Sequence, residues 1–275
     1  MTAKAPTTPH KTLKSLGLAP SRLRGQNFLK DPNLARLLAK AILDLGDSQI
    51  VEIGPGLGAL TRPLLDAGAR VLAVELDRGL AEALNSWPEA QTERLKVMNQ
   101  DILTTNLSSL GVGPFTVAGN IPYNLSTPIL FWFLNQIPEA KGGVFTLQKE
   151  MAQSLLAKPG DRRYGRLSVA MSLWAEIRLV LNLKATAFQP VPKVESAAVS
   201  LVPKTPPPVS LANLGRFTAK AFHARRKTLA NNLIAGYGPE KAQATLKHFQ
   251  VDPKIRTEKL PPDLLAQMAK YLEEE

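Results

Sequence analysis

The chain of 275 residues contains no cysteine. Disulfide frameworks, thiolate metal ligands and thiol nucleophiles are all excluded by that absence. Histidine is scarce as well: His10, His223 and His248 are scattered, so no metal site is expected. Long apolar runs are missing too. The longest, Ile129 to Leu134, is far short of the roughly 20 residues that a membrane-spanning helix needs. No membrane association is expected, and the predicted location is the cytoplasm. Acids are absent from residues 1–30, which carry six Lys and Arg. Residues 31–203 hold sixteen charges of each sign, and residues 204–275 hold twelve basic and seven acidic side chains. The net charge of +11 therefore sits at the two ends, as +6 and +5. A neutral middle between basic ends suits a catalytic body flanked by elements that meet phosphates, although a solubility bias gives the same totals. An acid-free start could also be an organelle targeting segment. It has only two Ser in its first twenty-one residues and no clear amphipathic helix.

What is present is an alternation of strands and helices. Residues 1–24 are expected to form a mobile basic arm. Asp31-Pro32 opens a helix, with Asp as N-cap and Pro in the first turn. Apolar strands are predicted at Gln49–Ile53, Arg70–Leu76, Leu95–Asp101 and Pro114–Asn120, with a fifth at GGVFTLQ. Helices fall between them, from about Ala59, from Arg78 and over Ser126–Gln136. LSVAMSLWAEI is expected to be helical, and RLVLNL and SAAVSLV to be two closing, antiparallel strands. The pattern predicts an α/β, Rossmann-like, doubly wound and mainly parallel sheet of seven strands. After the proline-rich stretch PKTPPPVS only helical patterns remain, including LANLGRFTAKAFHARRKTLANNLI as one stretch. The expected organisation is an arm at 1–24, a catalytic domain at 25–204 and an all-helical domain at 205–275.

Two features carry chemistry. EIGPGLG lies between a strand and a helix, where Gly54 and Gly56 let a ligand approach the backbone. Glu75 ends the next strand, at the spacing of a carboxylate that accepts from ribose hydroxyls. Gly54-x-Gly56-x-x-Ala59 also fits a dinucleotide turn, so NAD competes with S-adenosylmethionine. Asp101, flanked by Gln100 and Ile102 at the third strand end, is placed to meet an adenine edge and favours the latter; a plain helix cap is the bland alternative. The second feature is GNIPYN, at the end of the fourth strand. An adenine or cytosine exocyclic amine is a poor nucleophile because its lone pair is delocalised. Two acceptors on its two N–H bonds can turn the lone pair toward a methyl donor without removing a proton. Asn120 offers its side-chain oxygen, Ile121 its backbone carbonyl held by Pro122, and Tyr123 a face for stacking the base. An Asn-Pro loop with a packed Tyr is the alternative for the quartet alone.

These segments occur with others in a fixed order: GQNFL, EIGPGLGALT, VELD, QD, GNIPYNLSTP, LQKE, YGRLSV, FQPVPKVESA and AFHARRKTL. From Arg24 onward the chain resembles the ribosomal RNA adenine N6-dimethyltransferases of the KsgA/Dim type. The resemblance implies dimethylation of two adjacent adenosines near the 3′ end of small-subunit (16S) RNA, with S-adenosylmethionine becoming S-adenosylhomocysteine. It implies that Gln26, Asn27, Leu29, Gly54, Gly56, Glu75, Leu76, Asp101, Ile102 and Asn120 surround that cofactor, and that Tyr123 and Phe188 enclose the base. Ile121 is a departure: KsgA-type enzymes usually have Leu there, and Ile is common in Erm-type enzymes acting on large-subunit RNA. A non-catalytic assembly or transcription factor on the same fold is a further alternative, against which the intact Asn120–Tyr123 cluster argues. Arg162, Arg163 and Arg166 around Tyr164, and Arg225, Arg226 and Lys227 on an expected helix, are the candidate contacts to RNA phosphates. Lys4, Lys11, Lys14, Arg22 and Arg24 are expected to form an arm that orders on RNA. The expected partner is small-subunit RNA or the immature subunit, and nothing in the sequence demands more than a monomer.

Overall fold

The structure, a computed structural model, describes residues 8–20, 25–46, 48–107, 113–137, 139–207 and 209–274. The chain divides into two compact units, Met1–Ala152 with Arg178–Pro203, and Gln153–Ile177 with Lys204–Glu275. Among the described residues, no helix is long and apolar enough to cross a membrane.

The first unit begins with α1 (Pro9–Ser15), the two-residue β1 (Phe28–Leu29) and α2 (Pro32–Leu43). The Asp31 carboxylate accepts from the N–H groups of Asn33 and Leu34, which starts α2 where the Asp-Pro pair predicts. There follow β2 (Gln49–Ile53), α3 (Thr61–Asp66), β3 (Arg70–Val74), α4 (Arg78–Asn85) and β4 (Leu95–Met98). Next come β5 (Phe115–Asn120), α5 (Ser126–Asn135), β6 (Ala140–Gln148) and α6 (Lys149–Leu155). After α7 (Arg166–Trp174) the chain forms β7 (Ala175–Leu183), the short β8 (Phe188–Gln189) and β9 (Ser196–Pro203).

Seven of these strands form one sheet in the order β4-β3-β2-β5-β6-β9-β7. Pairing is parallel from β4 through β6, and β9 runs antiparallel to β6. The strand order reverses at β2 and β5, so the connections leaving their C-terminal ends diverge and open a crevice. Ile50, Val51, Val71, Ala73, Val117 and Ala118 are buried because helices cover both faces, which explains why the strands are apolar throughout.

Four expectations of the fold change. Of the arm expected to be mobile, Pro9–Ser15 is a helix whose Leu13 is buried against Phe28 and Leu80, so Lys11 and Lys14 ride on packed structure. Lys4, Arg22 and Arg24 lie outside the described residues. The stretch LSVAMSLWAEI is helical only to Trp174, because Ala175 is already extended at the start of the alternating strand AEIRLVLNL. Residues 153–177, expected within the catalytic domain, group instead with the C-terminal helices. The Tyr164 hydroxyl donates to the Leu260 carbonyl at 3.0 Å, and the Gly160 N–H to that of Glu258 at 2.7 Å.

The second unit, to which α7 belongs, adds α8 (Leu211–Ala221), α9 (Leu229–Tyr237), α10 (Pro239–His248) and α11 (Pro262–Glu273). The continuous helix expected across ARRKT is broken between α8 and α9, which puts Arg225, Arg226 and Lys227 on a loop. Asn232, buried in α9, accounts for the break. Its Nδ2 donates to the carbonyls of Ala221 (2.9 Å) and Ala224 (3.2 Å), and its Oδ1 accepts from the Ala224 N–H at 3.2 Å. Thr228 caps α9 through Asn231 N–H.

A buried acid marks the end of β2. Glu52 is 1% exposed and accepts a 2.7 Å hydrogen bond from the Thr61 hydroxyl. Burial raises its pKa from 4.5 to about 7; the Thr61 bond opposes the shift and the charge of Glu75 adds to it. The unfolded chain releases this proton near pH 4.5 and the folded chain near 7. Stability should therefore fall as pH rises through that window and level off above it. Urea denaturation at pH 5 and pH 8 should show a drop larger in the parent than in Glu52→Gln by up to about 3 kcal/mol; equal drops would mean that Glu52 folds ionised. Asn232→Ala should cost about 1–2 kcal/mol in the same measurement, because it leaves the Ala224 N–H without its partner, while the Ala221 carbonyl keeps the Thr257 hydroxyl and the Ala224 carbonyl the Lys227 N–H.

Candidate active site

The connections at the C-terminal edge of the sheet enclose a cavity of about 240 Å3. Its walls include Gln26, Asn27 and Leu29 from the segment before α2, and Gly54 and Gly56 from the turn after β2. Glu75 and Leu76 follow β3, Asp101 and Ile102 follow β4, Asn120 ends β5, and Ile121–Tyr123 follow it. The structure thus brings together every residue expected around the cofactor, and four of the five expected around the base.

The glycine turn has a different need at each position. Gly54 and Gly56 have φ of +61° and +59°, in the region that favours glycine. A Cβ on Gly56 would stand 3.0 Å from the Phe28 ring, whereas one on Gly54 would project into open space. Glu75 braces this turn: Oε2 accepts from the Gly56 N–H at 3.0 Å and Oε1 from the Asp77 N–H at 2.9 Å. Asp101 Oδ1 accepts from the Leu103 N–H at 2.9 Å, so the capping role exists beside its place on the wall. Glu52 also lines the cavity. The sequence did not single it out, although it is the first residue of EIGPGLG.

Asn120 is the last residue of β5, opposite Thr146 of β6. Its Nδ2 donates to the Asn27 carbonyl at 2.7 Å. Because the carboxamide is planar, that bond decides which side each end occupies and turns Oδ1 away from Asn27. The next residues are equally constrained. The Ile121 N–H donates to the Thr146 carbonyl at 3.2 Å, and the Pro122 carbonyl accepts from the Leu125 N–H at 2.9 Å. The Ile121 carbonyl lies between these two fastenings. Tyr123 is half-buried, with its hydroxyl 2.8 Å from Ser196 Oγ. Burial pushes the phenol above its ordinary value, against a smaller opposing effect of the Ser196 bond.

Phe188 departs from expectation. It is 1% exposed, pairs with Leu29 in the small β1–β8 ladder and packs in the core that contains Leu38 and Ile42. Its ring fills the core and does not line the cavity. The candidate RNA contacts all fall in the second unit. Arg162, Arg163, Arg166, Arg225, Arg226 and Lys227 are exposed, and the Arg225 guanidinium donates to the Arg162 carbonyl, which joins their two loops. Tyr164, between the arginines, is buried and anchors its loop.

Comparison with known proteins bears on the whole of this arrangement. The family model described as ribosomal RNA adenine dimethylase matches residues 21–274. The ribosomal RNA small subunit methyltransferase A of Thiobacillus denitrificans is 42% identical over 245 residues, covering 88% of this chain and 93% of that protein. Its counterpart in Photorhabdus laumondii is 38% identical over 257 residues, 91% of this chain and 93% of that one. Among solved structures, a dimethyladenosine transferase from Plasmodium falciparum shares the fold, with a TM-score of 0.75 at 24% identity over 88% of this chain and 95% of its own. The 23S rRNA methyltransferase ErmE has a TM-score of 0.66 at 28% identity, over 90% of this chain and 100% of that one. A family match that runs through both units takes in the whole cavity: the chain belongs to the ribosomal RNA adenine dimethylases, a family of enzymes.

Proposed function

We propose that the protein dimethylates the N6 amines of two adjacent adenosines near the 3′ end of small-subunit ribosomal RNA, using S-adenosylmethionine. The observation that carries this reading is the Asn120 Nδ2–Asn27 carbonyl bond. It leaves the carboxamide oxygen as the end that faces a substrate, and a bare acceptor is what an amine needs. Oδ1 of Asn120 takes one N–H of the adenine amine and the Ile121 carbonyl takes the other. The nitrogen is then held with its lone pair directed at the methyl donor, and no side chain has to remove a proton first. Tyr123 supplies the stacking face.

The cavity residues fit the cofactor. The open space beside Gly54 admits a ligand against bare backbone, Glu75 would receive ribose hydroxyls, and Asp101 with the Ile102 backbone would meet the adenine edge. S-adenosylmethionine supplies, when bound, an electrophilic methyl on a cationic sulfur. Small-subunit RNA is favoured over large-subunit RNA because relatives named for the small subunit reach 42% identity, against 28% for ErmE. Ile121 in place of Leu does not disturb this, since the contact proposed is made by the backbone. The exposed cations of the second unit, on the loops at 162–166 and 225–227, bind RNA phosphates and position the substrate. The enzyme works as a monomer in the cytoplasm, where small subunits are assembled.

Asn120→Ala should retain RNA binding and lose about a hundredfold or more in methyl transfer, measured with labelled cofactor; undiminished turnover would exclude the amine clamp. Methyl groups mapped only to large-subunit RNA would exclude the substrate named here. Replacing Arg225, Arg226 and Lys227 together should weaken RNA binding and make the slope of log affinity against log salt shallower by about 2. An unchanged slope would mean that the triplet touches no phosphate.

A further inference from the structure

Two segments so far without a role, LQKE and the end of FQPVPKVESA, meet at the ligand edge of the sheet. Because β9 runs antiparallel to β6, its first residue, Ser196, stands opposite Gln148, the last residue of β6. A parallel strand would begin at the far edge. The reversal instead brings the start of β9 to the edge where β5 ends and Tyr123 follows. Ser196 is 0% exposed, and its Oγ lies 2.8 Å from the Tyr123 hydroxyl, a contact spanning 73 residues of chain. The backbone beside it is fastened: the Lys149 N–H donates to the Glu195 carbonyl at 3.0 Å. Lys149 Nζ also reaches Glu195 Oε2 at 2.7 Å, but this pair is half-exposed and adds little alone. The serine hydroxyl is thus a fixed point, placed by sheet register, and the ring of Tyr123 is tied to it by its far end.

We infer that Ser196 is a positioning residue that holds the Tyr123 ring in place at the cavity wall before a base arrives. The inference rests on the stacking role proposed for Tyr123. A tyrosine ring tethered only at Cβ can rotate about two side-chain bonds. Tethering the hydroxyl removes most of that freedom, so a base meets a face already set. Phenylalanine at the same position would keep the face and lose the tether.

The test compares kcat, RNA affinity and cofactor affinity for the parent, Tyr123→Phe, Ser196→Ala, the double variant and Tyr123→Ala. Tyr123→Phe and Ser196→Ala should each lower kcat about fivefold, with both affinities within about twofold, and the double variant should be no worse than either single one. A structural role for Ser196 alone would leave Tyr123→Phe at parental kcat, or make the two losses multiply; either result overturns the inference. Should Ser196→Ala fail to fold, Tyr123→Phe decides alone, since it removes the same hydrogen bond and leaves the serine side chain in place. Tyr123→Ala separates the two ideas. If it keeps parental turnover, the stacking role falls and the inference with it. If it loses turnover while Tyr123→Phe does not, only the inference falls.

Discussion

The bond from Asn120 Nδ2 to the Asn27 carbonyl ties the end of β5 to a segment 93 residues earlier in the chain. A carboxamide is nearly symmetric in shape, and only its hydrogen bonds decide whether it presents a donor or an acceptor. Here the donor end is committed to the protein's own backbone. The chemistry proposed for the site follows from that commitment, since an amine needs an acceptor there and would be repelled by an NH2 group. The same bond makes the segment at 25–29 part of the site, although it lies outside the main sheet.

The fold serves this arrangement by placing chain ends. The switch in strand order at β2 and β5 opens the crevice, and the glycine turn keeps its backbone bare on one side. Glu75 is bonded to that turn through the Gly56 N–H, so cofactor turn and acid form one unit. The antiparallel β9 adds what a purely parallel sheet could not, a strand beginning at the ligand edge. Ser196 and Asn120 therefore come from opposite chain directions to the same rim.

Much of this was legible in the sequence because it rests on local signals. Asp31-Pro32 marks a helix start through a cap that spans three residues, and apolar runs followed by glycine mark the parallel strands and their ends. The place of Asn-Ile-Pro-Tyr at a strand end beside the cavity was legible too, and the chemistry proposed for it is argued from functional groups. What escaped depends on distant contacts. The break between α8 and α9 is imposed by Asn232, whose amide mimics backbone groups that a continuous helix would have supplied itself. In sequence it is simply one more polar residue in a helical stretch. Residues 153–177 join the C-terminal helices through contacts such as Tyr164 with Leu260, 96 residues apart, which no linker signal announces. Phe188 follows a motif but fills the core, since burial is decided by what packs above it. Glu52 was visible, yet its raised pKa arises from burial that only the folded chain provides.

The claim at the centre is that a neutral amine is made reactive by two oxygen acceptors and not by a base. The most direct measurement is a crystal structure of the enzyme with S-adenosylhomocysteine and an RNA carrying the target adenosines. The adenine N6 should lie about 3 Å from both Asn120 Oδ1 and the Ile121 carbonyl, with Asn120 Nδ2 still on Asn27. An N6 held instead by an ionised carboxylate such as Glu52, or an Asn120 amide turned to offer its NH2 group, would contradict it.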